Sequence, residues 1–397
     1  MSNLENYMKQ QAIFCEQNDS ISKNLYSEYG VKRGLRDEKG QGVLTGLTNI
    51  SDIKAFEYRD GVKSPCDGEL SYRGYNIKDL VTGSKGKRFV FEEGAYLLLF
   101  GELPTDTQLM EFQGRLSDCM ELPTNFTRDV IMKAPTSDIM GSMTRSILTL
   151  GSYDKEKESL EIPNVLRQSM QLIAVFPMLA VYAYHAYCHY EKNESMYIHR
   201  PEKDLSIAEN FLRLLRPDTK FTELEARVLD IALLLHMEHG GGNNSTFTTR
   251  VVTSSGSDTY SVISAAMSSL KGKKHGGANL MVMNMMDDIK SHVKDYEDEE
   301  EIASYLSKIL KKEAFDQKGL IYGMGHAVYS ISDPRERVFK GFVEQLARDK
   351  GREKDMTLYN NIEKIAPKLI AKQRQIFKGV SPNIDFYSGF VYDMLNI

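Results

Sequence analysis

The spacing of apolar residues divides the chain into a short N-terminal region that predicts strands and a long region that predicts helices. Within residues 42–75, β-prone runs include Val43-Leu-Thr-Gly and Ile53-Lys-Ala-Phe-Glu-Tyr, and Asp60-Gly61 is a turn signal between apolar runs. From Phe91 onward, successive apolar runs have the spacing of helices. Residues 1–40 are polar and mixed, which favours short helices and loops. The pattern therefore predicts a mainly α fold with one small N-terminal β patch.

Capping residues and charge gradients indicate where several of the predicted helices begin and end. A helix over residues 91–100 ends at Gly101, which suits the left-handed position that follows a helix. Thr105 and Gln108 form a capping box at the start of the next helix. Apolar stripes or charge gradients predict further helices over residues 137–150, 222–237, 276–289 and 298–312.

The most apolar stretch of the chain is residues 172–187, which contains Pro177 and ends just after His185. This stretch is too short and too interrupted to span a bilayer. We therefore expect a buried core helix or a helix at a subunit interface.

The chain of 397 residues is long enough for two domains. We predict a large helical domain over residues 1–276, which includes an N-terminal extension over residues 1–41. A small helical domain is predicted over residues 277–390, and residues 391–397 would start the return to the large domain. The sequence contains no repeats, low-complexity segments or long linkers that would mark a domain boundary.

Composition and charge exclude several classes of protein. Hydrophobic residues make up 41% and charged residues 26%, which is the balance of a soluble globular protein. The net charge of −5 argues against a general nucleic-acid binder. Four scattered cysteines without a C-x-x-C motif fit reduced thiols, and the N-terminus resembles neither a signal nor a transit peptide. A cytoplasmic location is expected.

The segment over residues 319–337 carries the strongest candidate chemistry. Gly323 and Gly325 would let a ligand approach bare backbone N–H groups, and His326 follows at once. Farther on, Asp333 is expected to cap a helix whose first residue is Pro334. The alternative for the whole segment is a surface loop.

Arg335 falls in the first turn of that predicted helix, where the helix dipole disfavours a positive charge. A cation at this position suggests an anionic ligand that the arginine and the helix N-terminus hold together. The alternative is a solvated arginine without a role in binding.

A second candidate is His236-Met-Glu-His239, at the end of an apolar helix. The spacing invites a metal site, but it is not H-E-x-x-H and no third ligand lies nearby in sequence. The glycines that follow, residues 240–242, fit a helix stop. They do not make a phosphate loop, because no Lys-Ser/Thr follows them.

Two further groups could take part in acid–base chemistry. His275 lies among lysines at a helix entry, where a neutral imidazole could donate a hydrogen bond to an enolate; the alternative is a histidine in a basic turn without function. Asp385 lies between apolar neighbours, which can raise a carboxyl pKa and produce a general base; the alternative is a helix N-cap. Two neutral histidines, one carboxylate and one arginine suit proton abstraction beside a carbonyl, followed by attack on a second carbonyl.

Four segments in chain order resemble citrate synthase of the si type. They are H-G-G-G-N at residues 239–243, K-H-G-G-A-N at 274–279, G-M-G-H-A-V-x-x-x-x-D-P-R at 323–335 and P-N-I-D at 382–385. The resemblance runs from about Gly42 to the last residue. It implies an almost all-α fold of two domains, with the active site in the cleft between them.

The resemblance also implies roles for individual residues. Asp385 would remove a proton from the acetyl-CoA methyl group, His275 would stabilise the enol oxygen, and His326 would polarise and protonate the oxaloacetate ketone. Oxaloacetate would be held by His239, Asn243 and Arg335. The CoA adenine would lie on the backbone of Ile321, Tyr322, Gly323, Met324 and Gly325. Citryl-CoA would be hydrolysed in the same site, and closure of the small domain would exclude water until condensation is done.

The family further implies a homodimeric acyltransferase at the entry to the tricarboxylic acid cycle, with acetyl-CoA as a substrate and no metal or cofactor. Family chains normally continue into further large-domain helices that carry two arginines, so this chain is expected to be C-terminally shortened and weakly active. Three alternatives stay open: a 2-methylcitrate synthase that uses propionyl-CoA, a CoA-binding form with little activity, and a metallohydrolase built on His236 and His239.

Overall fold

A computed structural model describes residues 2–32, 34–37, 42, 45–326, 328–374 and 380–397. The chain divides into two compact units, Met1–Gly46 and Leu47–Ile397. The first unit contains two helices, α1 (Asn3–Gln17) and α2 (Lys23–Glu28), which agrees with the prediction of short helices. A capping box between Ser2 and Glu5 starts α1. Val43 and Leu44, which begin the predicted β segment, lie outside the described residues.

The second unit begins with the predicted β patch, a three-stranded antiparallel sheet in the order β1-β2-β3. Its strands are β1 (Ser51–Arg59), β2 (Val62–Tyr72) and β3 (Tyr75–Asn76). Asp60 and Gly61 connect β1 to β2 with φ values of 51° and 78°. Positive φ at both central positions is the geometry that twisted hairpins favour. The turn predicted from the Asp-Gly pair is confirmed.

The rest of the second unit, as far as the structure describes it, is helical apart from connecting loops and turns. A π-helical turn spans Thr127–Ile131. The α-helices are α3 (Ile77–Thr82), α4 (Val90–Phe100), α5 (Asp106–Asp118), α6 (Ile139–Ser152), α7 (Ile162–Lys192), α8 (Ile207–Leu215), α9 (Glu223–His236), α10 (Asn244–Ser254), α11 (Thr259–Leu270), α12 (Ala278–His292), α13 (Glu299–Leu310), α14 (Pro334–Asp349), α15 (Glu353–Arg374) and α16 (Asp385–Leu395).

The local signals in the sequence locate helix ends well. The capping box of Thr105 and Gln108 is present, and Gly101 ends α4 in the left-handed conformation with φ of 90°. Asp333 caps α14, and Pro334 is its first residue. The mainly α fold is confirmed.

Helix α7 is nearly twice as long as the apolar stretch from which it was predicted, with 31 residues that run through Pro177. A proline inside a helix costs about 3 kcal/mol, because it removes a hydrogen bond and meets the preceding turn. Burial of residues on both sides of Pro177, from Leu172 to Tyr182, offsets this cost. Among the described residues, α7 is the one helix long and apolar enough to cross a membrane by length and composition, and half of its most apolar window is buried inside the protein.

Two main cores fill the second unit. One surrounds α7 and includes residues of α6, α8 and α11. The larger core joins strand β2 and helix α9 to α12, α13, α14, α15 and α16. The predicted boundary between residues 276 and 277 falls inside this compact unit and stays a prediction. The candidate site lies where β2, the end of α9 and the starts of α14 and α16 meet.

Candidate active site

The backbone of residues 323–325 pairs with that of residues 381–383. Met324 and Pro382 form an isolated antiparallel bridge. Three hydrogen bonds of 2.7 to 2.9 Å join the two segments, two of them between backbone groups and one from the Asn383 side chain. His326 directly follows the first segment, and Asp385 follows the second after one residue. The pairing therefore fixes the position of the histidine relative to that of the carboxylate.

The two glycines of this pairing meet a conformational and a packing requirement. Gly323 and Gly325 have φ values of 84° and 85°, a conformation that other residues adopt only with strain. A Cβ atom at Gly323 would lie 3.0 Å from Phe386. The N–H of Gly325 donates to the Ser381 carbonyl, so the bare amide expected there is not free. Contact of the backbone of residues 321–325 with CoA stays a prediction.

The hydrogen bonds of His326 select its tautomer. Its Nδ1 atom accepts from the backbone N–H of Val328 at 2.9 Å and of Tyr329 at 3.2 Å. A nitrogen that accepts cannot carry the proton, so the neutral ring is protonated at Nε2. Burial lowers the pKa of His326 to about 4. At neutral pH the side chain is therefore a neutral hydrogen-bond donor through Nε2.

His239 lies beside His326, with ring centroids 5.1 Å apart. Its Nε2 atom is 3.0 Å from the hydroxyl of Tyr329. Burial lowers the pKa of His239 to about 3, and the positive charge of Arg335 adds to the effect. Tyr329 was not predicted as a site residue; the available signal was a hydroxyl-bearing aromatic residue three positions after His326.

Arg335 and Asp333 form a buried bidentate ion pair. The guanidinium Nε atom lies 3.1 Å from Oδ1 of Asp333, and Nη2 lies 2.9 Å from Oδ2. Burial alone would raise the pKa of Asp333, but the charge and hydrogen bonds of Arg335 bring this pKa below its ordinary value. The cation in the first turn of α14 is therefore balanced from within the chain, and its presence does not by itself require an external anion. Nη1 of Arg335 has no hydrogen-bond partner in the part of the chain that the structure describes.

Asp333 also holds the start of α16. Its carboxylate accepts from the backbone N–H of Arg335 at 3.0 Å and of Ile384 at 3.2 Å. One side chain thus caps α14, orients the arginine and anchors the residue before Asp385. The prediction of Asp333 as a helix cap is confirmed, and the other two contacts were not visible in the sequence.

Asp385 is the first residue of α16, and the N-cap position belongs to Ile384. The alternative that Asp385 is a capping residue is therefore wrong. Burial raises the pKa of Asp385, while His236 and Arg335 oppose this shift. His236 hydrogen-bonds the Ala232 carbonyl through Nδ1 at 2.7 Å, so its proton resides there and Nε2 is left as the acceptor. His236 is exposed to solvent, yet desolvation by the protein atoms around it lowers its pKa.

His275 is linked to Asn243 through the hydroxyl of Ser245. Its Nε2 atom is 3.1 Å from the hydroxyl of Ser245 and accepts a long 3.4 Å contact from the N–H of Ser245. Asn243 caps α10 and accepts from Ser245 and Thr246 through Oδ1, which leaves its amide nitrogen for a ligand. Among the described residues, no hydrogen bond or ring contact joins His275 to His326 or Asp385.

Within the described ranges, no three His, Cys, Asp or Glu side chains are grouped as a metal site would need. His236 and His239, the pair on which the metal alternative was based, instead contact the Ala232 carbonyl and Tyr329. The structure thus offers no third ligand to this pair.

Gly68 of β2 packs closely against Ser332 and Tyr329 of the site. A Cβ atom there would lie 2.3 Å from the Ser332 carbonyl oxygen and 2.6 Å from the Tyr329 ring, and neither can move freely. We expect Gly68→Ala to destabilise the fold by about 1–3 kcal/mol through overpacking and to lower turnover. Thermal unfolding and steady-state kinetics measure both effects. Gly114→Ala in α5 is the control: nothing lies within 4 Å of its Cβ, and alanine favours a helix. Equal behaviour of the two variants would contradict the close packing described here.

The chain matches a known family along most of its length. The model of that family, described as citrate synthase, C-terminal domain, matches residues 37–397. A citrate synthase of Synechocystis is 34% identical over 358 residues, which cover 89% of this chain and 80% of that protein. A 2-methylcitrate synthase of Shewanella oneidensis is 33% identical over 329 residues, which cover 83% of this chain and 78% of that protein.

Solved structures show the same fold. The citrate synthase of Thermoplasma acidophilum, in a ternary complex with carboxymethyl coenzyme A and oxaloacetate, matches with a TM-score of 0.73 at 25% identity. That match covers 91% of this chain and 85% of the other. The citrate synthase of Pyrobaculum aerophilum matches with a TM-score of 0.72 at 27% identity and covers 91% and 84% of the two chains.

Proposed function

The chain belongs to the citrate synthase family, and we propose that it divides the condensation of acetyl-CoA with oxaloacetate between a base at Asp385 and a proton donor at His326. The enzyme is an acyltransferase of the citrate synthase type, which releases citrate and CoA. One observation supports this division of roles. The pairing of residues 323–325 with residues 381–383 fixes the position of the proton donor His326 relative to the base Asp385.

In the first step, the Asp385 carboxylate takes a proton from the methyl group of acetyl-CoA. Burial raises the pKa of Asp385, which makes the ionised form a stronger base than a solvated carboxylate. His275 stabilises the enol oxygen that forms. The neutral ring carries one N–H, which can donate to that oxygen.

In the second step, the enol carbon attacks the ketone of oxaloacetate, and His326 donates to the ketone oxygen from Nε2. A neutral imidazole suits this role, because the ring becomes a proton donor only as negative charge develops on the oxygen. The free Nη1 of Arg335, the amide nitrogen of Asn243 and the ring of His239 are the groups proposed to hold oxaloacetate. Hydrolysis of citryl-CoA in the same site completes the reaction.

Among the described residues, no hydrogen bond joins His275 to His326 or Asp385, which is consistent with a site that closes on its substrates. We propose that a small domain over residues 277–390 moves against the large domain, which carries His239 and His275. Closure would bring His275 to the acetyl group and exclude water during condensation. The backbone of residues 321–325 would then contact the CoA adenine.

We also propose a homodimer in the cytoplasm. Support for the dimer comes from exposed apolar side chains on α6 and α7, namely Leu148, Ile162, Tyr184 and Tyr190. The acid–base set formed by Asp385, His275 and His326 needs no resident metal or cofactor for either step. Light scattering of the purified protein tests the dimer.

The alternative function with specific support is 2-methylcitrate synthesis from propionyl-CoA, since relatives of that name match over a similar share of the chain. The two substrates differ by one methylene, which a pocket distinguishes by only about 1–3 kcal/mol. Acetyl-CoA and propionyl-CoA should therefore be compared as substrates of one preparation.

The decisive assay follows the release of the CoA thiol when oxaloacetate is added with acetyl-CoA. We expect citrate to form, and a metal chelator to leave the rate unchanged. A higher kcat/KM for propionyl-CoA would favour the alternative function. Activity lost to the chelator and restored by a metal would contradict the proposed mechanism.

A further inference from the structure

Two carboxyl groups, one buried and one partly buried, face each other next to the helices that carry Arg335 and Asp385. Glu336 follows Arg335 in α14 and is only 3% exposed. Its carboxyl hydrogen-bonds that of Glu363 on α15. Two carboxylates cannot hydrogen-bond each other, because neither has a donor, so one of the pair must be protonated. The proposed mechanism uses neither residue.

The neighbours of the pair decide which carboxyl holds the proton. Glu363 accepts from the hydroxyl of Tyr387 at 2.5 Å and lies 2.8 Å from the Lys340 ammonium. These partners stabilise a negative charge on Glu363. Glu336 has no cation as close, and its Oε1 atom is buried without a hydrogen-bond partner among the described residues. Glu336 is therefore the acid and donates to Glu363.

The network joins three helices of the site. Glu336 and Lys340 belong to α14, Glu363 to α15 and Tyr387 to α16. Two of its members are neighbours in sequence of proposed site residues: Glu336 follows Arg335, and Tyr387 lies two positions after Asp385. Glu363 of α15 therefore links α14 to α16, because it contacts side chains of both helices.

We propose that Glu336 and Glu363 are positioning residues, and that the proton they share locks the helix of Arg335 to the helix of Asp385. The inference rests on the proposed roles of Arg335 and Asp385. Loss of the proton places two negative charges side by side in a buried space, which separates the helices and misaligns the arginine with the base. A misplacement of about 1 Å can cost 100-fold in rate.

The pH at which the shared proton is lost depends on the charged groups around Glu336. Burial, and after it the negative charge of Glu363, raises the pKa of Glu336 to about 9, far above the usual carboxyl value. The charged and titratable groups that act on Glu336 and Tyr387 are Glu363, Lys340, Asp333 and Glu344. Since the pKa is higher in the folded chain, this proton's contribution to stability is fully present below about pH 4.5 and is lost as the pH rises toward 9.

The test compares Glu336→Gln, Glu336→Ala and the surface control Glu353→Gln at the start of α15. Glutamine keeps a donor to Glu363 and cannot ionise, so its Tm should fall less between about pH 5 and 9 than that of the wild type. Its kcat should stay near the wild-type value and persist to higher pH. Alanine should lower kcat by about 10- to 100-fold at neutral pH. Glu353→Gln should match the wild type in both measurements.

Infrared spectroscopy reports the shared proton directly and independently of catalysis. Burial also raises the pKa of Glu92, to about 8, so the test is the difference between two spectra. At about pH 7, the wild type should show one more protonated carboxylic acid than Glu336→Gln in the carbonyl-stretch region. Equal carboxylic-acid bands in the two proteins would overturn the assignment of the proton. A Glu336→Ala variant with a lowered Tm but wild-type kcat would overturn the positioning role. A wild type without synthase activity would refute the proposed function, while the band and the Tm profile would still test the shared proton.

Discussion

Asp385→Asn abolishes proton exchange at the methyl group of acetyl-CoA if this carboxylate is the base. Asparagine has nearly the same shape, but its amide cannot take a proton at neutral pH. We expect the exchange rate to fall by about 10²- to 10⁴-fold, the usual contribution of a general base. The measurement is the loss of deuterium from labelled acetyl-CoA with oxaloacetate present, followed by mass spectrometry. Exchange at the wild-type rate would show that another group removes the proton.

Oxaloacetate affinity separates this effect from a general disturbance of the site. Asp385→Asn should leave it nearly unchanged, because Asp385 is not among the residues proposed to hold oxaloacetate. Arg335→Ala should weaken binding more than tenfold, since a desolvated charge contact is worth about 2–5 kcal/mol and each 1.4 kcal/mol is a factor of ten. Calorimetric titration of both variants measures the difference. Equal losses in the two variants would mean that the substitutions act through the fold.

Asp333→Ala should be the most destabilising substitution in the site. It leaves the Arg335 charge buried without its partner, which typically costs about 3–5 kcal/mol. It also removes the cap of α14 and the acceptor for the Ile384 N–H. Denaturant unfolding should show the loss at neutral pH, and oxaloacetate binding should fall because Nε and Nη2 of the arginine are no longer held.

A matched control is an exposed ion pair between strand β2 and helix α14. Asp67 and Arg337 form an ion pair of 3.1 Å whose side chains are 67% and 56% exposed. Asp67→Ala should cost about 0–1 kcal/mol, as exposed pairs do. Because the pKa of Asp333 is lowered in the fold, its contribution is fully present above the ordinary carboxyl pKa and is lost as the pH falls through the lower pKa of the folded chain. The difference between the two variants should therefore shrink in acid; a constant difference would argue against the ion pair as its cause.

Features set by neighbouring residues could be predicted from the sequence. The Asp-Gly turn, the capping box at Thr105, the glycine that ends α4 and the Asp333-Pro334 helix start all depend on fewer than five consecutive positions. Short-range hydrogen bonds and φ preferences dominate at such places, and tertiary packing seldom overrides them. The candidate residues came partly from such local signals and partly from the resemblance to a family.

Contacts between distant segments could not be predicted in this way. The bond from Asp333 to Ile384 crosses 51 positions, and the bond from Gly68 to Ser332 crosses 264. No periodicity reports which distant residue meets an aspartate or a glycine. The same holds for the Glu336–Glu363 pair, since a glutamate in the first turn of a helix is expected to be solvated. The length of α7 was underestimated because the packing that offsets the cost of Pro177 is tertiary.

The pairing of residues 323–325 with residues 381–383 has a consequence for how the enzyme acquires activity during folding. The Asn383 side chain closes a loop of 58 positions when it bonds Gly325, and Gly68 must meet Ser332 across most of the chain. Closing such loops costs chain entropy before any contact compensates for it, whereas the helices need only their neighbours. The helices can therefore form early and the catalytic frame late. On the ribosome, His326 and Asp385 cannot be held in this frame until residues 381–383 have emerged, so a growing chain has no condensing activity before that point.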